Sequence, residues 1–160
     1  MPFTPLHMGP FIVVKAAAQR RFSLLVFGWS QIVIDLQPLF VMLTGRGELH
    51  GLSHTLLGAT LIGFFCALSG KYLGELGLRL IGKKEYLPIS WAVSFASAFI
   101  GTYSHVFIDS IMHAEVSPFA PWSLSSPLYG LISIDALNLL CVATAIVGGI
   151  AFIAVERAQK

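Results

Sequence analysis

"YLPISWAVSFASAFIGTYSHVFIDSIMH", residues 86–113, decides how the rest of the chain is read. From Pro88 to about Met112 it is long and apolar enough to cross a bilayer, which takes about 20 residues. Its closing part nevertheless carries His105, Asp109 and His113 at intervals of four. Residues i and i+4 share one face of a helix, so these titratable groups form a single stripe. An ionisable group held in hydrocarbon costs at least about 2 to 3 kcal/mol, unless it is paired or ligated. The segment therefore reads as a membrane span whose polar end has a purpose.

The bulk composition agrees. The chain has 160 residues, 56% of them hydrophobic and 11% charged, where a soluble domain carries about 25% charged residues. Its mean hydropathy is +0.79. Residues 1–160 read as one integral membrane domain. A net charge of +2, without a basic cluster, gives no reason to expect a nucleic-acid partner. Cys66 and Cys141 lie inside apolar runs and are expected to be reduced core thiols. The opening "MPFTPLHMGP" has early prolines, no basic region and no small-residue cleavage site, so a cleaved signal peptide is not expected.

Four segments can span, at about 22–43, 53–70, 88–112 and 131–155. A shorter apolar piece from Pro5 to Gln19 reaches roughly 20 Å as a helix, enough for a partial or re-entrant span or an interfacial helix. Between the second and third spans, "GELGLRLIG" suggests a short surface helix. The expected fold is thus all-α: a polytopic bundle of four transmembrane helices with a short N-terminal helix. If the spans alternate, Lys15, Arg20, Arg21, Lys71, Arg79, Lys83, Lys84, Arg157 and Lys160 fall on one side, and only Arg46 on the other. The positive-inside rule then puts the Arg20 turn, the 71–87 loop and the C-terminus in the cytoplasm. The 44–52 and 113–130 loops face outward.

Depth brings other polar residues to the level of the stripe. At the rise of an α-helix, Asp35 lies roughly 21 Å above Arg21, and His105 and Asp109 roughly 25 and 31 Å above Pro88. His7 reaches a similar height if the N-terminal helix rises from Arg20. His54 opens the second span, with His50 one turn before it, and Asp135 lies four residues into the fourth. Singly, Asp35 could cap a kink, and His50 or His113 could be interfacial. Together, His7, Asp35, His50, His54, His105, Asp109 and His113 are candidate metal ligands, since imidazole with carboxylate suits zinc, manganese or iron. A dication also neutralises the carboxylates. Glu48, Glu115 and Asp135 are candidates to accept a proton.

"TPLHMGP", "VIDLQP", "HGLSHTLLG" and "SHVFIDSIMH" followed by "SPFAPWS" occur in that order. In this ordered set the chain resembles the bacterial membrane-bound metal-dependent hydrolases, the LexA-regulated inner-membrane family. More remotely it is similar to the zinc-dependent phospholipase C and P1 nuclease group, all-helical proteins with a three-metal cluster. Their ligand order matches His7, Asp35, His50 or His54, His105 with Asp109, and His113. Their final His-x3-Glu has no counterpart, because no histidine follows His113. The resemblance therefore implies one or two divalent ions, zinc first, in a hydrolase of the bacterial inner membrane. It implies Asp35, His54, His105 and Asp109 on a primary metal, with Asp109 bridging to a second ion held by His7 or His113. It also implies a lipid or lipid-linked phosphoester as substrate, under a lid formed by "AEVSPFAPWSLSSPLYG". In that lid Phe119, Trp122 and Tyr129 suit the headgroup level, and Pro118, Pro121 and Pro127 add stiffness. The alternative is a non-catalytic membrane protein that uses the cluster for metal transport or as a structural metal site. A transport path is expected to show ligands at several depths, whereas these share one layer.

Overall fold

The computed structural model describes residues 5–158. Residues 1–4, which open "TPLHMGP" and fall within the signal-peptide reading, and Lys160 lie outside the described residues. Six helices follow one another: α1 (Gly9–Ala18), α2 (Leu24–Ile34), α3 (Leu36–Thr44), α4 (Leu56–Leu80), α5 (Trp91–Met112) and α6 (Ile134–Ala158). Single 3-10 turns occupy Pro5–Met8, Gln19–Arg21, Leu52–His54 and Lys84–Tyr86. No strand occurs among the described residues. Hydroxyl side chains start three of the helices. Ser23, Thr55 and Ser90 have extended backbones and accept from the N–H groups of Val26, Gly58 and Val93, donors that the helix itself leaves unpaired.

Four helical segments are long and apolar enough to cross a membrane: Leu24–Thr44, Leu56–Leu80, Trp91–Met112 and Ile134–Ala158. The first is broken. Pro38 has no N–H, and its ring conflicts with the carbonyl four residues earlier, that of Ile34. So α2 stops at Ile34, α3 starts at Leu36, and Asp35 forms the joint.

The second span differs from its expectation. Residues 71–80 are not a surface helix but the last turns of α4. Glu75 accepts from Lys71 on one side and Arg79 on the other, each one turn away, and Lys71 also donates to the Ile89 carbonyl. With these charges satisfied along the helix, Lys71 does not mark its end.

Helices α2, α4 and α5 form the core, where Val26, Ile34, Ala59, Cys66, Ala67, Ala98 and Val106 are buried. Both cysteines are free and buried, as expected. Helix α1 runs beside α6 in the same direction, with Gly9 against Cys141 and Gly148 against Ile12 and Val13. The 3-10 turn that precedes α1 brings His7 to the interior. Much of α6 beyond that seam presents exposed Leu139, Leu140, Ile146, Val147, Ile150 and Ile153, a surface that suits lipid.

The basic segments gather at one end of the bundle. Lys15 Nζ donates to the Gln19 and Phe22 carbonyls at 2.7 and 3.0 Å, and Lys83 pairs with Glu156 at 2.7 Å. At the other end the loops close over the helices: the Leu56 N–H donates to the Pro118 carbonyl at 2.8 Å, and the Gly130 N–H to that of Ile111 at 3.1 Å. Phe119, Trp122 and Tyr129 are exposed there.

Two glycines set the spacing that the polar interior needs. A Cβ on Gly101 would fall 1.9 Å from Ser30 Oγ, and one on Gly58 would fall 1.9 Å from the Leu52 carbonyl oxygen. Gly101 lets α5 meet α2, and Gly58 lets the Leu52–His54 turn lie on the start of α4. Gly58→Ala should therefore lower stability by about 1 to 3 kcal/mol, despite the better helix propensity of alanine. Thermal unfolding in detergent reads this; an unchanged or raised midpoint would show that the turn is not seated on that glycine.

Candidate metal centre

Four buried side chains from three parts of the fold meet below the loop end. Asp35 comes from the α2–α3 joint, His54 from the 3-10 turn before α4, and His105 with Asp109 from successive turns of α5. None is more than 5% exposed. His105 Nε2 lies 3.1 Å from Asp35 Oδ1 and 3.2 Å from Asp109 Oδ2. His54 Nε2 lies 3.1 Å from the same Asp109 oxygen and 3.7 Å from Asp35 Oδ1. A tetrahedral shell with donors about 2.0–2.1 Å from an ion separates those donors by about 3.3 Å. The observed spacings bracket that value, so the group could hold a metal ion. Two carboxylates and two neutral imidazoles around a dication sum to zero charge, as a buried site requires.

The imidazoles are also aimed. His105 Nδ1 is 2.8 Å from Gln31 Oε1, and Gln31 Nε2 donates to the Gly101 carbonyl at 2.8 Å. Since the Gln31 amide nitrogen faces a carbonyl, its oxygen faces His105. Nδ1 of His105 then donates to Gln31, which leaves Nε2 facing the cluster, where its lone pair would be the ligand once an ion is bound. His54 Nδ1 is held 2.8 Å from Ser53 Oγ. His54 Nε2, although near Asp109, is out of line for a hydrogen bond and has no partner of that kind among the described residues. Metal-bound histidines usually have outer partners such as Gln31 and Ser53, which fix the tautomer.

His7 is brought in as well. It is buried, with Nδ1 3.8 Å from Asp109 Oδ1 and its ring edge-on to His105 at 5.4 Å. Neither ring nitrogen has a hydrogen-bond partner among the described residues.

His113 does not continue the stripe of His105 and Asp109. Helix α5 ends at Met112, and the extended backbone of His113 turns its ring outward. The ring stacks on His50, centroids 4.6 Å apart. Both turn Nδ1 to one oxygen of Glu115, at 3.2 Å for His50 and 3.8 Å for His113. Thus the His50/His54 pair divides: His54 joins the buried group and His50 an outer one, with ring centroids 4.8 Å apart. Burial, then the neighbouring imidazoles of His54 and His113, pushes His50 below the ordinary histidine pKa. The Glu115 carboxyl sits below its usual range, held there first by its own backbone N–H and then by His50 and His113.

Asp135 lies away from both groups. Helix α6 begins at Ile134, later than the expected 131, so this carboxylate sits exposed in the first helical turn, where it complements the helix dipole. Glu48 is exposed and lines a cavity of about 700 Å³ at the loop end together with His50, Leu52, Glu115 and Pro121. A second cavity, of about 630 Å³ and almost wholly apolar, runs between α2 and α4 past Leu25, Trp29, Ile32 and Leu73. It ends on Gln31, Asp35 and His105.

Reading charges alone missed Gln31 and Ser53. Gln31 stands one turn before Asp35, the spacing that drew attention to His105 and Asp109, and Ser53 adjoins His54. Comparison with protein-family models, curated proteins and solved structures returns no match. Gln31→Leu should weaken metal binding about 10- to 100-fold by releasing the His105 ring. Competition against a chromophoric chelator measures this; unchanged affinity would show that the amide does not set the ring.

Proposed function

We propose that the protein is a membrane-embedded, zinc-dependent hydrolase of a lipid or lipid-linked phosphoester. The observation that carries this reading is the position of the buried His/Asp cluster: Asp35 and His105 end an almost wholly apolar cavity, and His54 lies beside His50, which lines a second cavity. The loop-end cavity has carboxylate and imidazole groups on its wall. The other is greasy and opens on the flank of the bundle. An amphiphile with its head in the first and its chain in the second places the linking bond at the cluster. The ordered motifs that resemble the membrane-bound metal-dependent hydrolases support the same class.

In this reading Asp35, His54, His105 and Asp109 hold the ion, while Gln31 and Ser53 keep the two imidazoles in the ligating tautomer. Zinc held there would polarise a phosphoryl oxygen entering as a fifth ligand, and zinc with an open position would acidify a water towards pKa about 7. The apolar cavity orients the chain and excludes water from the greasy side. Glu48 and Glu115, both on the wall of the loop-end cavity, are the carboxylates placed to take the proton. With the basic end in the cytoplasm, as the lysine and arginine distribution directs, the site serves the outer leaflet of a bacterial inner membrane.

The test is turnover by purified, zinc-loaded protein in mixed micelles. Phosphatidate, lysophosphatidate and a polyprenyl phosphate are offered in parallel. Phosphate release from at least one, lost on chelation, restored by zinc and abolished in Asp109→Ala, is the expected result. No turnover of any of the three by metal-loaded protein, or full turnover by Asp109→Ala, contradicts the reading.

A further inference from the structure

The buried cluster supplies four protein ligands and so fills a tetrahedral shell. A zinc site that exchanges water or substrate keeps a position open and takes three protein ligands. Such a trio stands next to the buried group and is not used by it. His50 comes from the loop after α3; His113 and Glu115 come from the turn that ends α5. One donor atom from each lies within 4.8 Å of the others. Two stacked imidazoles facing one carboxylate oxygen are poor hydrogen-bonding company for each other. His50 is within hydrogen-bond distance of Glu115, while His113 at 3.8 Å is not. A cation between the three gives each donor a partner. The trio also faces open space: His50 and Glu115 lie on the wall of the loop-end cavity.

We propose that His50, His113 and Glu115 form a second divalent-metal site, separate from the buried one, with its free coordination position turned into the loop-end cavity. Two imidazoles and one carboxylate select a borderline ion such as zinc or cobalt(II). The free position takes an anionic oxygen, that of water or of a phosphate group. This deepens the hydrolase reading by locating the exchangeable position, but the metal site itself does not depend on turnover. Glu115 is then a ligand, which leaves Glu48 as the proton acceptor in that cavity.

Cobalt(II) titration of the metal-free protein in detergent tests this, with bound metal counted by elemental analysis after gel filtration. Two equivalents are expected for the unmutated chain. His113→Ala and Glu115→Gln should each lose one and keep the other, and the retained buried equivalent reports that the fold is intact. His105→Ala should lose the buried ion and keep the outer one. Inorganic phosphate should alter the visible cobalt spectrum of the unmutated protein and leave that of His113→Ala unchanged. Saturation at one equivalent, or two equivalents retained in both His113→Ala and Glu115→Gln, overturns the second site and leaves the hydrolase reading standing. Two equivalents with no turnover would do the reverse.

Discussion

Asp35 and Asp109 are two carboxylates within one buried cluster of a membrane bundle, and the local structure is organised around them. Neither can remain charged in apolar surroundings without compensation. His54 and His105 stand beside them, with Nε2 atoms at 3.1 to 3.7 Å from the carboxylate oxygens, a spacing at which a dication between the four groups would balance the charge. Each partner arrives by a separate local device. Pro38 breaks the first span so that Asp35 falls at the joint. Gly58 leaves room for the turn that delivers His54. The four-residue spacing on α5 places His105 and Asp109 together, and Gly101 admits the α2 contact through which Gln31 orients His105.

The same devices set the buried group at the end of the apolar cavity and beside the loop end. Helix α5 ends one residue before His113, so the polar stripe splits into an inner and an outer group rather than running on as a wall. The inner group is buried and borders a greasy cavity. The outer group borders the loops. A bond between an apolar chain and a polar head has a natural place at that boundary, which is why a phosphoester amphiphile is the proposed substrate class.

Much of this was legible in the sequence, and the exceptions have physical reasons. The four spans could be read because apolar length is dictated by bilayer thickness. Helical rise brings Asp35, His105 and Asp109 to one level, the outer start of the second span adds His54, and a helix rising from Arg20 adds His7. The end of the second span was misplaced because Lys71 looks like a boundary until Glu75 and the Ile89 carbonyl are seen to satisfy it. His113 shares the spacing of His105 and Asp109, yet spacing cannot say that the helix stops one residue earlier. Asp135 was placed with the cluster because its span was started three residues too soon. Gln31 carries no charge, so a search for costly residues passes over it, although its amide decides which nitrogen of His105 is free.

The central claim is that Asp35, His54, His105 and Asp109 jointly ligate one ion. X-ray absorption at the zinc edge tests it most directly, on zinc-loaded His113→Ala protein so that the buried centre is observed alone. The predicted shell is two imidazole nitrogens and two carboxylate oxygens at about 2.0–2.1 Å. A shell of sulfur or of water oxygens without imidazole scattering, or protein that retains no zinc, would contradict it.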